Sequence, residues 1–126
     1  MKECVFCKIV GGEVSADKIY ENGNFFSIFD KDPEVEGHAL VICKKHFETV
    51  LDLPESLGSE LMDAIKKTTI VLVKKYGVSG FNFINNCKKI AGQVIPHFHV
   101  HIIPRREGDN FRCWNLKKKL KSFEIK

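Results

Sequence analysis

Residues 97–103 alternate between histidine and apolar side chains, in the order His-Phe-His-Val-His-Ile-Ile. Successive side chains of a β-strand point to opposite faces, so a strand here places His97, His99 and His101 on one face. The opposite, apolar face fits a hydrophobic core under a helix. The histidine face needs another explanation, because three of the chain's five histidines fall within this short segment.

Three interpretations of the histidine face compete. A solvated sheet face tolerates any polar residue. A metal site is limited by distance, because alternate residues of a strand lie roughly 6.6 Å apart and one zinc ion therefore takes two neighbouring rings but hardly all three. Catalysis at phosphorus suits the row, because neutral imidazole is nucleophilic near neutral pH and protonated imidazole donates hydrogen bonds. We favour the third interpretation, although the alternation alone does not decide.

The rest of the chain predicts short strands around one long helix. Short segments rich in β-branched and aromatic residues, bounded by turn formers, predict four further strands. They cover residues 19–21, 25–29, 38–42 and 81–85. Residues 54–76 repeat apolar side chains at three- and four-residue steps and precede Gly77, which predicts the helix. The histidine strand is expected to end at Pro104. This order indicates an antiparallel α+β domain.

Length and composition limit the alternatives. A chain of 126 residues fits one domain over residues 1–126, with a core over about 4–114 and a basic, solvated tail over 115–126. The net charge of +4 suits anionic ligands without indicating nucleic acid. Five cysteines with no secretory context argue against a disulfide framework. A charged N-terminus and the lack of a long apolar run indicate neither a signal peptide nor a membrane segment, and we expect a cytoplasmic protein.

Cys4 and Cys7 form a Cys-x₂-Cys pair, which by its spacing is half of a zinc site. The pair alone is equally consistent with two thiols packed in a core. Cys43, Cys87 and Cys113 show no ligand spacing and are interpreted as packing or surface thiols.

The histidine strand resembles the complete signature of the histidine-triad (HIT) family, in which three histidines alternate with apolar residues. Residues 37–41 (Gly-His-Ala-Leu-Val) and 91–93 (Ala-Gly-Gln) fit the family in order and spacing. The likeness is to the small nucleotide-binding branch, of the microbial zinc-containing type, and extends to about Trp114. It implies an α+β fold with a five-stranded antiparallel sheet, one long helix and one short helix over residues 46–53. It also implies a homodimer.

The resemblance implies an enzyme acting at the α-phosphate of purine nucleotide conjugates, of the AMP phosphoramidate type. His99 corresponds to the histidine that attacks phosphorus and becomes nucleotidylated before a nucleoside monophosphate is released. His101 corresponds to the ring that contacts the phosphate or the leaving group, and His38 to a supporting histidine. The chemistry needs no cofactor in this scheme. The expected partners are AMP or GMP conjugates and a second copy of the chain, with neither nucleic acid nor a membrane.

Substrate and metal contacts also follow from the resemblance. Asp30 corresponds to the acid that binds the ribose hydroxyls, although an Asp before a turn is more often a capping residue. The expected base slot is formed by Phe6, Ile9 and Ile28, which their sequence alone assigns to the core. The expected polar contacts near the phosphate are Asn86 and Gln93. The expected structural zinc ligands are Cys4, Cys7, His46 and His97, a closed tetrahedral set.

Val94 departs from the family pattern, because relatives usually carry a Ser or Thr there whose hydroxyl binds the phosphate. Losing one donor beside a charged group costs about 1.5–3 kcal/mol. Lys88 and Lys89 in the neighbouring loop could compensate. The departure keeps two alternatives open. One is a zinc-stabilised nucleotide-binding or interaction module with little catalysis, and the other is a dinucleoside polyphosphate hydrolase.

Overall fold

The computed structural model describes residues 4–112. Its helices and strands, in chain order, are α1 (Val5–Val10), β1 (Lys18–Glu21), β2 (Phe25–Phe29), β3 (Ala39–Cys43), α2 (Gly58–Tyr76), β4 (Gly80–Ile84) and β5 (His99–Arg105). Short 3₁₀ turns at Glu55–Leu57 and Lys89–Ala91 precede α2 and β5. The predicted basic tail over 115–126, with Cys113 and Trp114, lies outside the described residues. No helix within 4–112 has the length and apolar character that crossing a bilayer requires.

The five strands form one antiparallel sheet in the order β1-β2-β3-β5-β4. The predicted α+β fold with a five-stranded antiparallel sheet and one long helix is confirmed. Strand β5, which carries His99 and His101, pairs with β3 on one side and with β4 on the other. The histidine strand therefore lies inside the sheet, where both neighbours fix its position.

Each face of the sheet is covered by a different helix. Under α2, the apolar residues of the histidine strand join one core, which includes Phe98, Val100 and Ile102. On the opposite face, Phe6 of α1 packs with residues of β2 and β3 in a second core, whose other members are Cys4, Phe26, Ile28, Leu40 and Ile42. The predicted alternation is thus confirmed, because the apolar side chains of the histidine strand pack under the long helix.

Strand β5 differs from its predicted bounds at both ends. Its first two predicted residues bond elsewhere, since the His97 N–H donates to the Ile95 carbonyl and the Phe98 N–H to the Phe47 carbonyl. At the other end the strand continues through Pro104 to Arg105. The register with β3 ends at Ile102, so the proline has a neighbouring strand on one side only. An edge position tolerates the missing N–H of proline.

The short helix predicted over residues 46–53 is wrong. Backbone hydrogen bonds there close separate tight turns, from Asp52 to Thr49 and from Leu53 to Val50. The Asp52 carboxylate also accepts the Thr49 N–H at 3.1 Å. Such local side-chain bonds compete with helix formation. The short helix is α1 instead, in which the Cys4 sulfur accepts the Cys7 N–H as the N-terminal cap.

Candidate active site and metal cluster

A cavity of about 1000 Å³ opens on the α1 side of the sheet. Its wall combines α1, the segment that follows α1, the end of β2, the loop before β5 and the histidine strand. Seven of the residues predicted for substrate binding or catalysis line it, namely Phe6, Ile9, Ile28, Asp30, Asn86, His99 and His101. The cavity therefore brings together residues that are separated by up to 95 positions in the chain.

The apolar part of the wall is built by α1, β2 and β3. Phe6 packs edge-on against His99, with ring centroids 5.0 Å apart. Ile28 and Leu40 are cross-strand partners, so their side chains leave the sheet on the same face. Sequence reasoning missed Leu40 and Val5. Leu40 follows from the pairing register of β2 with β3, and Val5 follows from α1, which the sequence did not predict.

His99 is buried and has a fixed tautomer. Its Nδ1 lies 2.7 Å from the backbone carbonyl of His97. A carbonyl only accepts hydrogen bonds, so Nδ1 carries the proton and Nε2 keeps its lone pair. Burial lowers the pKa of His99 below its usual value, against the opposing effects of the carbonyl bond and of Asp30. The ring is neutral at neutral pH and offers a free nitrogen.

His38 and His101 form a hydrogen-bonded pair. The Glu34 N–H donates to Nδ1 of His38 at 3.1 Å, which leaves the proton of the neutral ring on Nε2. That Nε2 lies 2.9 Å from Nδ1 of His101, which accepts the bond. The remaining proton of His101 is therefore on Nε2. Burial, together with His99 and His38, lowers the pKa of His101 to about 4.

Asp30 serves a turn and lines the cavity at the same time. Its Oδ1 accepts the Asp32 N–H at 3.0 Å, which is the capping contact expected of an Asp before a turn. Its Oδ2 lies 3.5 Å from Nε2 of His38. Donor atoms of Asp30, His38 and His101 come within 4.8 Å of one another. The two rings bond each other, however, so this cluster is occupied by its own hydrogen bonds.

The loop before β5 carries one predicted contact into the cavity and holds another inside itself. Asn86 lines the cavity, whereas Gln93 does not. The Gln93 amide oxygen accepts the Lys88 N–H at 2.7 Å, and its nitrogen donates to the Glu48 carbonyl at 2.7 Å. Both polar ends of this buried side chain thus hold the loop in place. We describe Gln93 as a positioning residue of the loop.

Val94 lies on the cavity wall with its side chain exposed. Lys88 pairs with Glu48 at 3.2 Å, and neither Lys88 nor Lys89 lines the cavity. In this structure these two lysines therefore do not replace the hydroxyl that Val94 lacks.

Asn85 is a site residue that sequence reasoning missed. Its side-chain nitrogen donates to the backbone carbonyl of His99 at 2.9 Å, directly behind the candidate nucleophile. The pairing of Ile84 with His101 places Asn85 one residue beyond the ladder and beside β5. The pairing register of β4 with β5 would have identified Asn85, because a polar residue after a strand end does not by itself indicate a site residue.

Cys4, Cys7, His46 and His97 come together at the start of the histidine strand, with their ligand atoms within 4.8 Å of one another. Nδ1 of His97 lies 3.3 Å from the Cys4 sulfur and 3.1 Å from Nδ1 of His46. The Cys7 sulfur lies 3.2 Å from Nδ1 of His46. Ligand atoms of a tetrahedral zinc site are roughly 3.3–3.8 Å apart, given usual bond lengths. The four residues therefore match the size and the chemistry of a zinc site.

The tautomer of His97 fits the same conclusion. Its Nε2 lies 2.6 Å from the Cys43 carbonyl, so Nε2 carries the proton and Nδ1 turns its lone pair toward the two cysteines. A histidine that binds a metal through one ring nitrogen usually donates a hydrogen bond from the other, which fixes the orientation of the ring. His97 also presents its backbone carbonyl to His99. His97 thus belongs to the candidate metal cluster and also contacts the candidate nucleophile.

Comparison with known proteins agrees with this geometry. The model of the HIT domain family matches residues 11–108. The chain belongs to the HIT family. It is 43% identical over 106 residues to an uncharacterized HIT-like protein, MJ0866, of Methanocaldococcus jannaschii, covering 84% of this chain and 81% of that protein.

Some relatives of this chain have names that state an activity. Adenylylsulfatase HINT3 of Arabidopsis thaliana is 40% identical over 107 residues, covering 85% of this chain and 54% of that protein. Adenosine 5'-monophosphoramidase HNT1 of Candida albicans is 34% identical over 108 residues, covering 82% and 71%. A crystal structure of a HIT family member from Bacillus subtilis superposes with a TM-score of 0.83 at 29% identity, covering 98% and 96% of the two chains.

Proposed function

We propose that this HIT protein hydrolyses AMP conjugates of the phosphoramidate type through a nucleotidyl-His99 intermediate. The observation that carries the proposal is the hydrogen bond from Nδ1 of His99 to the His97 carbonyl, which leaves an unprotonated nitrogen on a ring of the cavity wall. The names of its relatives, a phosphoramidase and an adenylylsulfatase, point to the same class of substrate.

The cavity offers a separate place for each part of a nucleotide. The apolar wall of Phe6, Ile9 and Ile28 fits the purine. The Asp30 carboxylate accepts hydrogen bonds from ribose hydroxyls. The phosphate then lies at His99 and His101, with the Asn86 amide beside it. Donors placed in advance around the reacting phosphate stabilise the charge that develops there.

The reaction proceeds in two displacements. Nε2 of His99 bonds to phosphorus as the P–N bond breaks. The electron pair of the P–N bond leaves with the amine nitrogen, to which His101, protonated once the anionic phosphate lies beside it, donates its Nε2 proton. The nucleotidylated His99 ring then carries a positive charge that offsets the lost proton. Water next attacks phosphorus, the bond to His99 breaks, and a proton of the water returns to His101. Splitting the reaction in this way is the general advantage of covalent catalysis.

We infer that Cys4, Cys7, His46 and His97 bind a structural zinc ion. A site with four protein ligands leaves no open position for substrate, so its contribution is to hold the fold. It would fasten the start of α1, which carries Phe6 and Ile9, to the beginning of the histidine strand. The chemistry at phosphorus uses the histidines alone.

We infer that the protein forms a homodimer through α2 and β4. The outward face of these elements exposes large apolar side chains, namely Met62, Ile70, Phe81 and Phe83. They line an apolar groove of about 430 Å³ together with other residues of α2. Contiguous apolar surface of this kind marks an interaction site.

Single-turnover hydrolysis of an AMP amidate tests the catalytic proposal. His99→Ala is expected to reduce the rate by at least about 10³-fold, because it removes the nucleophile. Mass spectrometry of the wild-type protein during turnover is expected to detect AMP bound to His99. The melting temperature of the variant serves as the folding control. Full activity in His99→Ala would refute the assignment.

A binding module with little catalysis is the second candidate, and the exposed Val94 on the cavity wall favours it. Tight binding of AMP without turnover of any AMP conjugate would support this alternative. Accumulation of nucleotidylated His99 would exclude it.

A further inference from the structure

The segment 86–95 contributes Asn86, Gly92, Val94 and Ile95 to the cavity wall and directly precedes the strand that carries His99 and His101. In the binding mode proposed above, the phosphate lies at the two histidines with the Asn86 amide beside it. Gly92 lies close to Asn86, so a group that leaves the phosphorus next to Asn86 reaches the surface of this segment.

Val94 dominates the surface that this segment offers. Its side chain is 89% exposed although it lines the cavity, so it is available to a ligand. Gly92 has no side chain and lies close to Asn86, because a Cβ added at Gly92 would be 3.7 Å from the Asn86 amide nitrogen. The Asn86 amide is thus the one polar side chain from this segment on the wall.

Hydrogen bonds hold the loop before Val94 in place and so keep Val94 at the cavity wall. The Gln93 amide bonds the Lys88 N–H and the Glu48 carbonyl. Three backbone hydrogen bonds, from Ala91, Gly92 and Gln93, close the turn onto Lys88 and Lys89. The residue directly after this anchored turn is Val94.

The charges on the cavity wall disfavour an anionic leaving group. Lys31 is the only lysine or arginine among the described residues that line the cavity, and it directly follows Asp30. Lys88 and Lys89, the cations of the same loop, do not line the cavity, and Lys88 is paired with Glu48. A sulfate or polyphosphate leaving group would meet an isopropyl group where it needs a cation or a hydrogen-bond donor.

We propose that Val94 determines the leaving group, and that this protein selects AMP amidates of apolar amines over those of polar amines and over AMP joined to sulfate or polyphosphate. The inference rests on the proposed function and specifies its substrate class. In the step concerned, the P–N bond breaks and the amine departs across Val94, whose apolar surface it covers. Apolar contact of this size discriminates between substrates by about tenfold or more.

The test compares two AMP amidates whose amines have similar basicity, benzylamine and ethanolamine, together with adenylyl sulfate. We expect kcat/KM for the benzylamide to exceed that for the ethanolamide by about tenfold, with adenylyl sulfate slower than both. Val94→Ser is expected to remove most of the difference between the amidates. Val94→Thr, which keeps the shape and adds a hydroxyl, is expected to change the ratio in the same direction.

Ile90→Ser is the matched control. Ile90 lies in the same loop and is fully exposed, but it does not line the cavity, so its substitution should leave the ratio unchanged. Equal kcat/KM for the two amidates, a ratio that survives Val94→Ser, or a preference for adenylyl sulfate would each overturn the inference while leaving the hydrolase in place. Absence of hydrolysis with all three compounds would instead contradict the proposed function itself.

Discussion

At the scale of single residues, backbone groups assign the roles of three chemically identical rings. The His97 carbonyl fixes the proton of His99, and the Cys43 carbonyl fixes that of His97. The Glu34 N–H fixes the proton of His38 and, through it, that of His101. Sequence alternation predicted that the rings share a face, but it could not assign these protons, because they depend on backbone groups brought in from other loops.

The lowered pKa values of the histidines predict how activity depends on pH. His99 must be neutral to attack, and burial keeps its pKa below its usual value, so activity is expected to persist below pH 6.5. The rate should fall at lower pH, where His99 takes up a proton and loses the lone pair that attacks phosphorus. A pH profile of single-turnover rates measures this limb, and an acid limb centred above pH 6.5 would contradict the assigned burial effect.

The free energy of unfolding should also decrease at acidic pH. In the unfolded chain His101 titrates near pH 6.5, and in the folded protein its pKa is about 4. Below pH 6.5 the unfolded state binds the proton first, so the free energy of unfolding decreases as the pH falls from 6.5 to about 4. Denaturation at several pH values tests this, with His101→Asn as the variant in which the decrease should be smaller.

At the scale of helices and strands, the positions of strands were easier to predict than those of short helices. Strand β2 has its predicted bounds, because turn formers flank an uninterrupted run of β-forming residues. Helix α1 was missed, since six residues with a cysteine cap carry no clear periodicity. The turns over 46–53 depend on contacts of Thr49 and Asp52, whose helix-breaking effect was not anticipated.

A pair of glycine substitutions tests how tightly β3 is joined to α2 and β5. Gly37, just before β3, has a φ of +88°, and an added Cβ would lie 2.8 Å from the Tyr76 ring. Gly37→Ala is expected to lower the free energy of unfolding by about 1–3 kcal/mol, through backbone strain and overpacking. Urea denaturation measures the change, and a loss below about 0.5 kcal/mol would show that the ring moves aside freely.

Gly58→Ala is the matched control for this substitution. Gly58 begins α2 with helical dihedral angles and has nothing within 4 Å of an added Cβ. Alanine is the better helix former, so this variant is expected to be as stable as the wild type or up to about 1 kcal/mol more stable.

At the scale of the whole molecule, the candidate metal cluster and the candidate dimer face lie on different elements. Cys7→Ser is expected to abolish stoichiometric zinc in the purified protein and to lower its melting temperature, because one of four ligands is lost. Metal analysis by mass spectrometry measures the content, and Cys87→Ser, outside the cluster, is the control. Equal zinc content in both variants would contradict the proposed ligand set.

The proposed homodimer is tested by a charge on its apolar face. Phe83 is 50% exposed and lines the groove on α2 and β4, so Phe83→Lys should produce monomers. Sedimentation velocity measures the mass of each species. Val10→Lys places the same charge on an exposed apolar residue of α1 outside the groove, and it should leave the dimer intact. A monomeric wild-type protein would refute the proposal.

The contact between Cys4 and His97 joins residues 93 positions apart. The entropy lost on closing a loop grows with the logarithm of its length, by about 0.6 kcal/mol for each doubling, so this contact costs more to form than a local one. Native contacts of such separation are also slow to form. We therefore expect α1 to dock late in folding, after the sheet has assembled, and the nucleotide cavity to be completed only in that final step.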